Sequence, residues 1–197
     1  MSSSRRLEKT VLLVCDIQER FRPLIFRFPA VVRSAHALLS GAAALGLNVI
    51  ATEQNPSKLG ATIAELAPLI STPIIPKMSF SMFPVFPKVI PSTYSHAIVC
   101  GIESHVCIAQ TVADLLARGI KVSVVVDGVS SQRRGDRAVA LASFAASGVT
   151  LTTTEAALFW LMEDASHPRF KDVQRIAINF ASEHRASGDD AALDMLV

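Results

Sequence analysis

Three residues capable of covalent hydrolysis stand far apart in this chain, each just beyond an apolar run. Asp16 follows Val11-Leu-Leu-Val-Cys15, Lys77 follows Pro73-Ile-Ile-Pro76, and Cys107 comes a few polar residues after Ile98-Val-Cys-Gly101. Cys107 is the most informative. It sits where Val106–Arg118 begins to show helical spacing, so free backbone N–H groups and the positive end of a helix dipole face it. Such surroundings favour a thiolate nucleophile, and the same N–H groups can hold a developing oxyanion. Asp16, at a strand end, is placed as a general base. Lys77 has apolar neighbours that would desolvate its amine unless an anion pairs with it. Together they describe one reaction: Cys107 attacks an electrophilic carbon, Asp16 takes the thiol proton and later activates water, and Lys77 stabilises both anions. Each has an ordinary alternative, Asp16 as a turn cap and Lys77 as a solvated lysine.

The elements that must gather these residues alternate along the chain. Strands are expected at Thr10–Asp16, Asn48–Thr52, Thr72–Pro76, Tyr94–Cys100, Lys121–Val126 and Val149–Thr152. Helical spacing marks Ala30–Leu45, a short piece at Thr62–Leu66, Val106–Arg118, Asp136–Ser147, Thr154–Met162 and His167–Phe180; Gly46, Gly119 and Gly148 are stop signals. Such alternation predicts an α/β fold, three-layer αβα and Rossmann-like, with a six-stranded, mainly parallel sheet covered by helices on both faces. All strand C-termini then share one edge, where such folds bind ligands. No repeat or linker interrupts residues 1–197, so one domain is expected, with residues 1–8 and about 183–197 as flexible tails. The Pro- and Phe-rich segment Ser79–Pro91 is placed to wall a pocket.

Composition sets the bounds. Of 197 residues, 50% are apolar and 18% charged, which fits a large buried core rather than a disordered chain. A net charge of +2 with scattered basic residues gives no nucleic-acid footprint. The apolar runs read as too short to cross a bilayer, so no membrane partner is expected. Three cysteines without C-x-x-C spacing point to a reducing compartment, with Cys15 and Cys100 as small core residues. The start Met1-Ser-Ser-Ser-Arg-Arg6 lacks an apolar h-region. A cytoplasmic location is expected, a mitochondrial leader being the minor alternative.

Further residues near the expected edge offer ligand contacts. Gln18 and Glu53 follow strand ends and could orient a polar group, or serve the turns. Phe21, Phe80, Met82 and Phe83 could wall an apolar pocket, or simply pack. His105 could hydrogen-bond substrate or only start the helix. Asp127, followed by Gly128, is expected to shape a turn, and Trp160 to make core or subunit contacts.

At these residues the chain resembles the isochorismatase-like cysteine hydrolases, and within them the isochorismatase domain-containing proteins of eukaryotes. The resemblance is carried by Cys-Asp-Ile-Gln-Glu-Arg-Phe (15–21), Thr-Glu-Gln (52–54) with Leu-Gly-Ala-Thr (59–62), and Lys-Met-Ser-Phe-Ser-Met (77–82). It continues through Cys-Gly-Ile-Glu-Ser-His-Val-Cys (100–107), Val-Val-Asp-Gly-Val-Ser-Ser (125–131) with Asp136-Arg137, and Thr-Thr-Glu (153–155). It implies an Asp16–Lys77–Cys107 triad, an oxyanion hole from the backbone N–H groups of Val106 and Cys107, and a cis peptide at Ile102–Glu103. It also implies self-association as a dimer or tetramer. The nicotinamidase branch of the family carries a metal site built on histidines after the second strand. Glu53-Gln-Asn-Pro-Ser-Lys-Leu-Gly60 has none, so no metal and no cofactor are expected. Isochorismatases that act on a vinyl ether lack the nucleophilic cysteine, and Cys107 argues against that chemistry here. The leading expectation is a hydrolase for a small carbon–nitrogen substrate. Alternatives are a non-catalytic metabolite- or partner-binding protein, and vinyl-ether hydrolysis with Asp16 as the acid.

Overall fold

The computed structural model describes residues 5–88 and 94–188. Its strands are β1 (Thr10–Cys15), β2 (Asn48–Gln54), β3 (Ile75–Lys77), β4 (His96–Ile102), β5 (Lys121–Ser130) and β6 (Thr150–Thr152). They form one sheet in the order β3-β2-β1-β4-β5-β6, and every neighbouring pair is parallel. All six residues of β1 are buried, as a central strand covered on both faces requires. The expected six-stranded α/β sheet is therefore the observed one, and it is parallel throughout.

Helices cover both faces. The helices are α1 (Arg5–Lys9), α2 (Phe28–Leu45), α3 (Pro56–Leu59), α4 (Ala109–Leu116), α5 (Arg134–Ala146), α6 (Thr154–Met162) and α7 (Phe170–Ser187). Strand alternation sorts the side chains between two cores. Leu12, Val14, Ile98 and Cys100 join Val31, Leu38, Ala157 and Leu161 on the face of α2 and α6. Val11, Leu13, Cys15 and Val99 join Val112, Leu115, Leu141 and Phe144 on the face of α4 and α5. Helix α7 packs outside α2 and α6, with Val173 against Leu158 and Met162. By length and composition alone α2 is apolar enough to cross a bilayer, contrary to the expectation that no segment was. In this fold 61% of that window is buried within the protein.

Several boundaries move for identifiable reasons. The helix expected at Thr62–Leu66 does not form. Thr62 instead makes an antiparallel bridge with Gln18, its N–H donates to Glu53 Oε1 at 2.6 Å, and a 3-10 turn follows at Ala67–Leu69. The third strand lies at Ile75–Lys77 rather than Thr72–Pro76, because Thr72 bonds the Val49 carbonyl through its hydroxyl (2.9 Å) and the ladder to β2 starts only at Thr52 opposite Ile75. Helix α1 occupies Arg5–Lys9, inside the stretch expected to be a tail, and α7 stays helical to Ser187. Part of the expected pocket wall, residues 89–91, lies outside the described residues.

Strand β5 runs four residues beyond its expected end by breaking register against β4: Val99 pairs with Val124, but Gly101 pairs with Val129. The irregular stretch needs its backbone groups satisfied. Arg137, 2% exposed, reaches back from α5 to donate to the Val126 carbonyl (2.6 Å) and the Val129 carbonyl (3.0 Å). Asp127 accepts from the Thr154 N–H (2.9 Å) and so caps α6, a role in the bulge rather than in a turn. Burial raises its pKa above the ordinary aspartate value. Replacing the guanidinium by an apolar chain orphans those carbonyls, so Arg137→Met is expected to cost about 2–4 kcal/mol in urea unfolding. A loss under about 0.5 kcal/mol, the usual range of a surface substitution, would contradict that role.

Candidate active site

Asp16 and Lys77 meet at the C-terminal edge of the sheet. Asp16 is the first residue past β1, with φ 55°, a left-handed conformation that aspartate tolerates better than most residues. Lys77 ends β3, with β2 lying between them. Lys77 Nζ lies 2.7 Å from Asp16 Oδ2, and the two side chains are 0% and 1% exposed. Strand β2 serves both charges: Thr52 donates its hydroxyl to Asp16 Oδ1 at 2.8 Å, and Gln54 Oε1 accepts from Lys77 Nζ at 2.7 Å. The ammonium also faces the carbonyls of Ser79 (3.2 Å) and Phe80 (2.9 Å). Burial opposes the charge on Lys77, but Cys15, Asp16 and Cys107 around it outweigh burial and raise its pKa.

Cys107 is brought to the same place by an unusual helix start. Gly101 has φ +130°, and a Cβ there would stand 2.2 Å from the Cys15 carbonyl oxygen. Only glycine lets β4 pass the end of β1 so closely. Glu103 then takes a left-handed conformation (φ 58°, ψ 63°), and a π-helical turn, Ser104–Ile108, leads into α4. The Ile102–Glu103 peptide is not cis, since no cis peptide occurs among the described residues; the reversal expected of a cis bond is made by the left-handed Glu103. The turn also alters the expected oxyanion hole. The Val106 N–H already donates to the Glu103 carbonyl at 3.0 Å, so it can serve an oxyanion only by sharing or exchanging that bond.

Cys107 is 5% exposed, and its carbonyl accepts from the Thr111 hydroxyl at 2.7 Å. It lies in the same buried cluster as Cys15. The Cys15 sulfur in turn lies 3.4 Å from Asp16 Oδ2, as donor. Cys15, expected to be an inert core residue, therefore touches the carboxylate and shares a buried cluster with Cys107. Interaction with Cys107 first, and burial second, push the Cys15 pKa well above the ordinary thiol value, so at neutral pH it is a neutral thiol. Cys100 does behave as a core thiol, its pKa pushed up to about 12 by burial.

The remaining candidates divide. Gln18 is fully buried and brackets β2: its amide donates to the Gln54 carbonyl (3.1 Å) and the Gly60 carbonyl (2.6 Å) and accepts from the Gln54 N–H (2.8 Å). Glu53 holds Thr62 as described above. Met82 is buried in the core beside Cys107, Phe21 packs against the opposite core, and Phe83 lies under the Arg118 guanidinium (3.5 Å). Phe80 is 49% exposed. His105 stays partly open at the edge, with Nδ1 3.0 Å from Ser131 Oγ and Nε2 3.7 Å from Asp136 Oδ2. Gln54 and Thr52, not singled out by spacing, carry the hydrogen bonds of the pair; their alternation on β2 with Lys77 directly beside Gln54 was the available signal. Among the described residues no three of His, Cys, Asp or Glu gather as a metal site.

Removing one member of a buried ion pair strands the other. Lys77→Met is expected to cost about 3–5 kcal/mol in urea unfolding, and adding Asp16→Asn should recover part of it. Strict additivity of the two substitutions would show that the pair is not coupled.

Comparison with known proteins agrees with this architecture. Residues 10–156 match the isochorismatase domain. Isochorismatase domain-containing protein 2A of Mus musculus is 43% identical over 171 residues, covering 86% of this chain and 82% of the mouse protein. The structure of the MAR1 ribonuclease from Caenorhabditis elegans superposes with a TM-score of 0.83 at 37% identity, covering 94% of each chain. The Escherichia coli YcaC protein, described as an octameric hydrolase of unknown specificity, shares the fold with a TM-score of 0.78 at 19% identity, covering 91% of this chain and 95% of that one. With the sheet, the ordered motifs and this agreement along most of its length, the chain belongs to the isochorismatase family.

Proposed function

We propose that the protein is a cysteine hydrolase acting on a small carbon–nitrogen substrate of the amide type. The observation that carries this reading is the contact chain Cys15–Asp16–Lys77 at the C-terminal edge of the sheet, with Cys107 in the same buried cluster as Cys15. A buried carboxylate salt-bridged to lysine has no need to sit beside two thiols for stability alone, and such clusters mark functional sites.

The steps follow from that order. Asp16 Oδ2 takes the proton of the Cys15 thiol as Cys15 takes that of Cys107, so Cys15 ends as it began. The Cys107 sulfur attacks the carbonyl carbon, and the C–O π pair moves to oxygen, held by the Cys107 N–H with the Val106 N–H exchanging its bond from Glu103. The C–N bond then breaks, the amine leaving with the proton from Asp16, and a thioester remains on Cys107. Water, giving a proton to Asp16, attacks the thioester; the acid departs and the proton returns to the sulfur. Lys77, with Nζ 2.7 Å from Asp16 Oδ2, holds that carboxyl group in place through these transfers. Phe80 and His105, the half-open residues of this edge, are the proposed substrate contacts. We also propose self-association, which light scattering on the purified chain tests.

Cys107→Ala is expected to abolish turnover of small amides while leaving unfolding cooperative. Asp16→Asn and Lys77→Ala should slow iodoacetamide labelling of Cys107 at neutral pH by about ten-fold or more, followed by peptide mapping. Equal labelling of Cys107 in the wild type, Asp16→Asn and Lys77→Ala would refute an activated nucleophile and favour a binding protein. Vinyl-ether hydrolysis that survives loss of Cys107 would favour Asp16 as an acid. Because the nematode relative is described as a ribonuclease, an RNA substrate belongs in the same assay; cleavage dependent on Cys107 would reassign the substrate class.

A further inference from the structure

The opposite edge of the sheet holds a second constellation with no part in the chemistry above. Thr10, His96 and Lys121 begin β1, β4 and β5, and they stand abreast in the ladder, Thr10 beside His96 and His96 beside Lys121. Their side chains therefore emerge on one face. They line a cavity of about 580 Å3 together with Arg6 and Lys9 of α1 and Trp160 of α6. That volume suits a small organic molecule. A second cavity of about 210 Å3 adjoins it, sharing His96 and Trp160 and continuing over Ile98 and Ala157. Strand β4 separates this end from Cys107 by its full length, roughly 20 Å.

The walls are built rather than incidental. The Arg6 guanidinium lies 5.0 Å from the centroid of the Trp160 ring, donates to the Trp160 carbonyl at 2.9 Å and approaches Glu163 at 3.5 Å. The His96 ring packs 4.7 Å from Trp160, with Nε2 2.8 Å from Ser123 Oγ. Burial, and then the charge of Lys121, hold the His96 pKa below its ordinary value, so at neutral pH it adds no charge. Glu163 offsets Arg6. Lys9 and Lys121 are left as two cations without a carboxylate partner among the described residues. Thr10 lines the cavity but is only 1% exposed, which leaves the two lysines as the polar groups open to a ligand.

We propose that this cavity is a second ligand site, taking a small organic anion. Its carboxylate or phosphate faces Lys9 and Lys121, and its apolar body lies along Trp160 toward the smaller cavity. The two acid types share the chemistry the walls recognise, a compact anion on an apolar body.

Trp160 is the single tryptophan of the chain, so its fluorescence reports on this site alone. The full-length protein is titrated with benzoate, phenyl phosphate and, as a neutral control of the same shape, benzyl alcohol, with calorimetry as a second readout. Saturable binding of at least one anion and not of the alcohol is expected, and the tighter anion identifies the headgroup. Lys9→Gln and Lys121→Gln lie on exposed positions and should each weaken binding by about ten-fold, since charge-assisted bonds dominate such recognition. Cys107→Ala should leave it unchanged. No saturable response, an equal response to benzyl alcohol, or unchanged affinity in both lysine variants would overturn the proposal.

Discussion

The buried ion pair of Asp16 and Lys77 is the constraint around which the C-terminal edge of the sheet is organised. Two opposite charges that are essentially unexposed survive only when each also has its hydrogen bonds. Strand β2 provides these from alternate positions, Thr52 to the carboxylate and Gln54 to the ammonium. That requirement fixes the register of three strands at once and explains why Gln18 clamps the backbone of Gln54 from both sides. The raised pKa of Lys77 means that its stabilising contribution is complete below the ordinary lysine value and is lost only as the pH rises through the higher, folded value. At neutral pH the pair is intact, and the site is set before any substrate arrives.

Around this pair the backbone adopts conformations that sequence propensity disfavours. Asp16 and Glu103 both have positive φ, and Gly101 does too. The three surround the point where β1 and β4 end together, Cys15 lying opposite Gly101 in the ladder. Strain of this kind persists where the surroundings over-determine it, and it gathers at functional sites. Here it turns the chain after β4 so that Cys107 arrives beside Cys15 rather than on the far side of α4.

Much of this was legible in the sequence. Short apolar runs ending in Asp16, Lys77 and Gly101 gave the strands, and parallel alternation put their ends on one edge. The family resemblance ordered the motifs correctly. What escaped was what depends on contacts between distant segments. Thr62–Leu66 has helical spacing, but Gln18 and Glu53 capture its start, and no local pattern records that. Cys15 looks like any apolar strand residue; only the close approach of β4, allowed by Gly101, makes it a neighbour of Cys107. The resemblance implied Val106 and Cys107 as oxyanion donors, whereas the π-helical turn engages the Val106 N–H with the Glu103 carbonyl. Asp127 was assigned to a turn because the register break in β5 has no sequence signature of its own. At the other end of the sheet, Thr10, His96 and Lys121 are unremarkable singly and become a group only through strand register.

The account stands or falls on whether Cys107 forms a covalent bond with substrate. The most direct measurement is acid-quenched mass spectrometry of the protein during turnover of a small amide, with peptide mapping of the adduct. An acyl group on the peptide carrying Cys107, absent in Cys107→Ala, is the predicted result. Continued turnover in Cys107→Ala, or acylation at Cys15 instead, would contradict it.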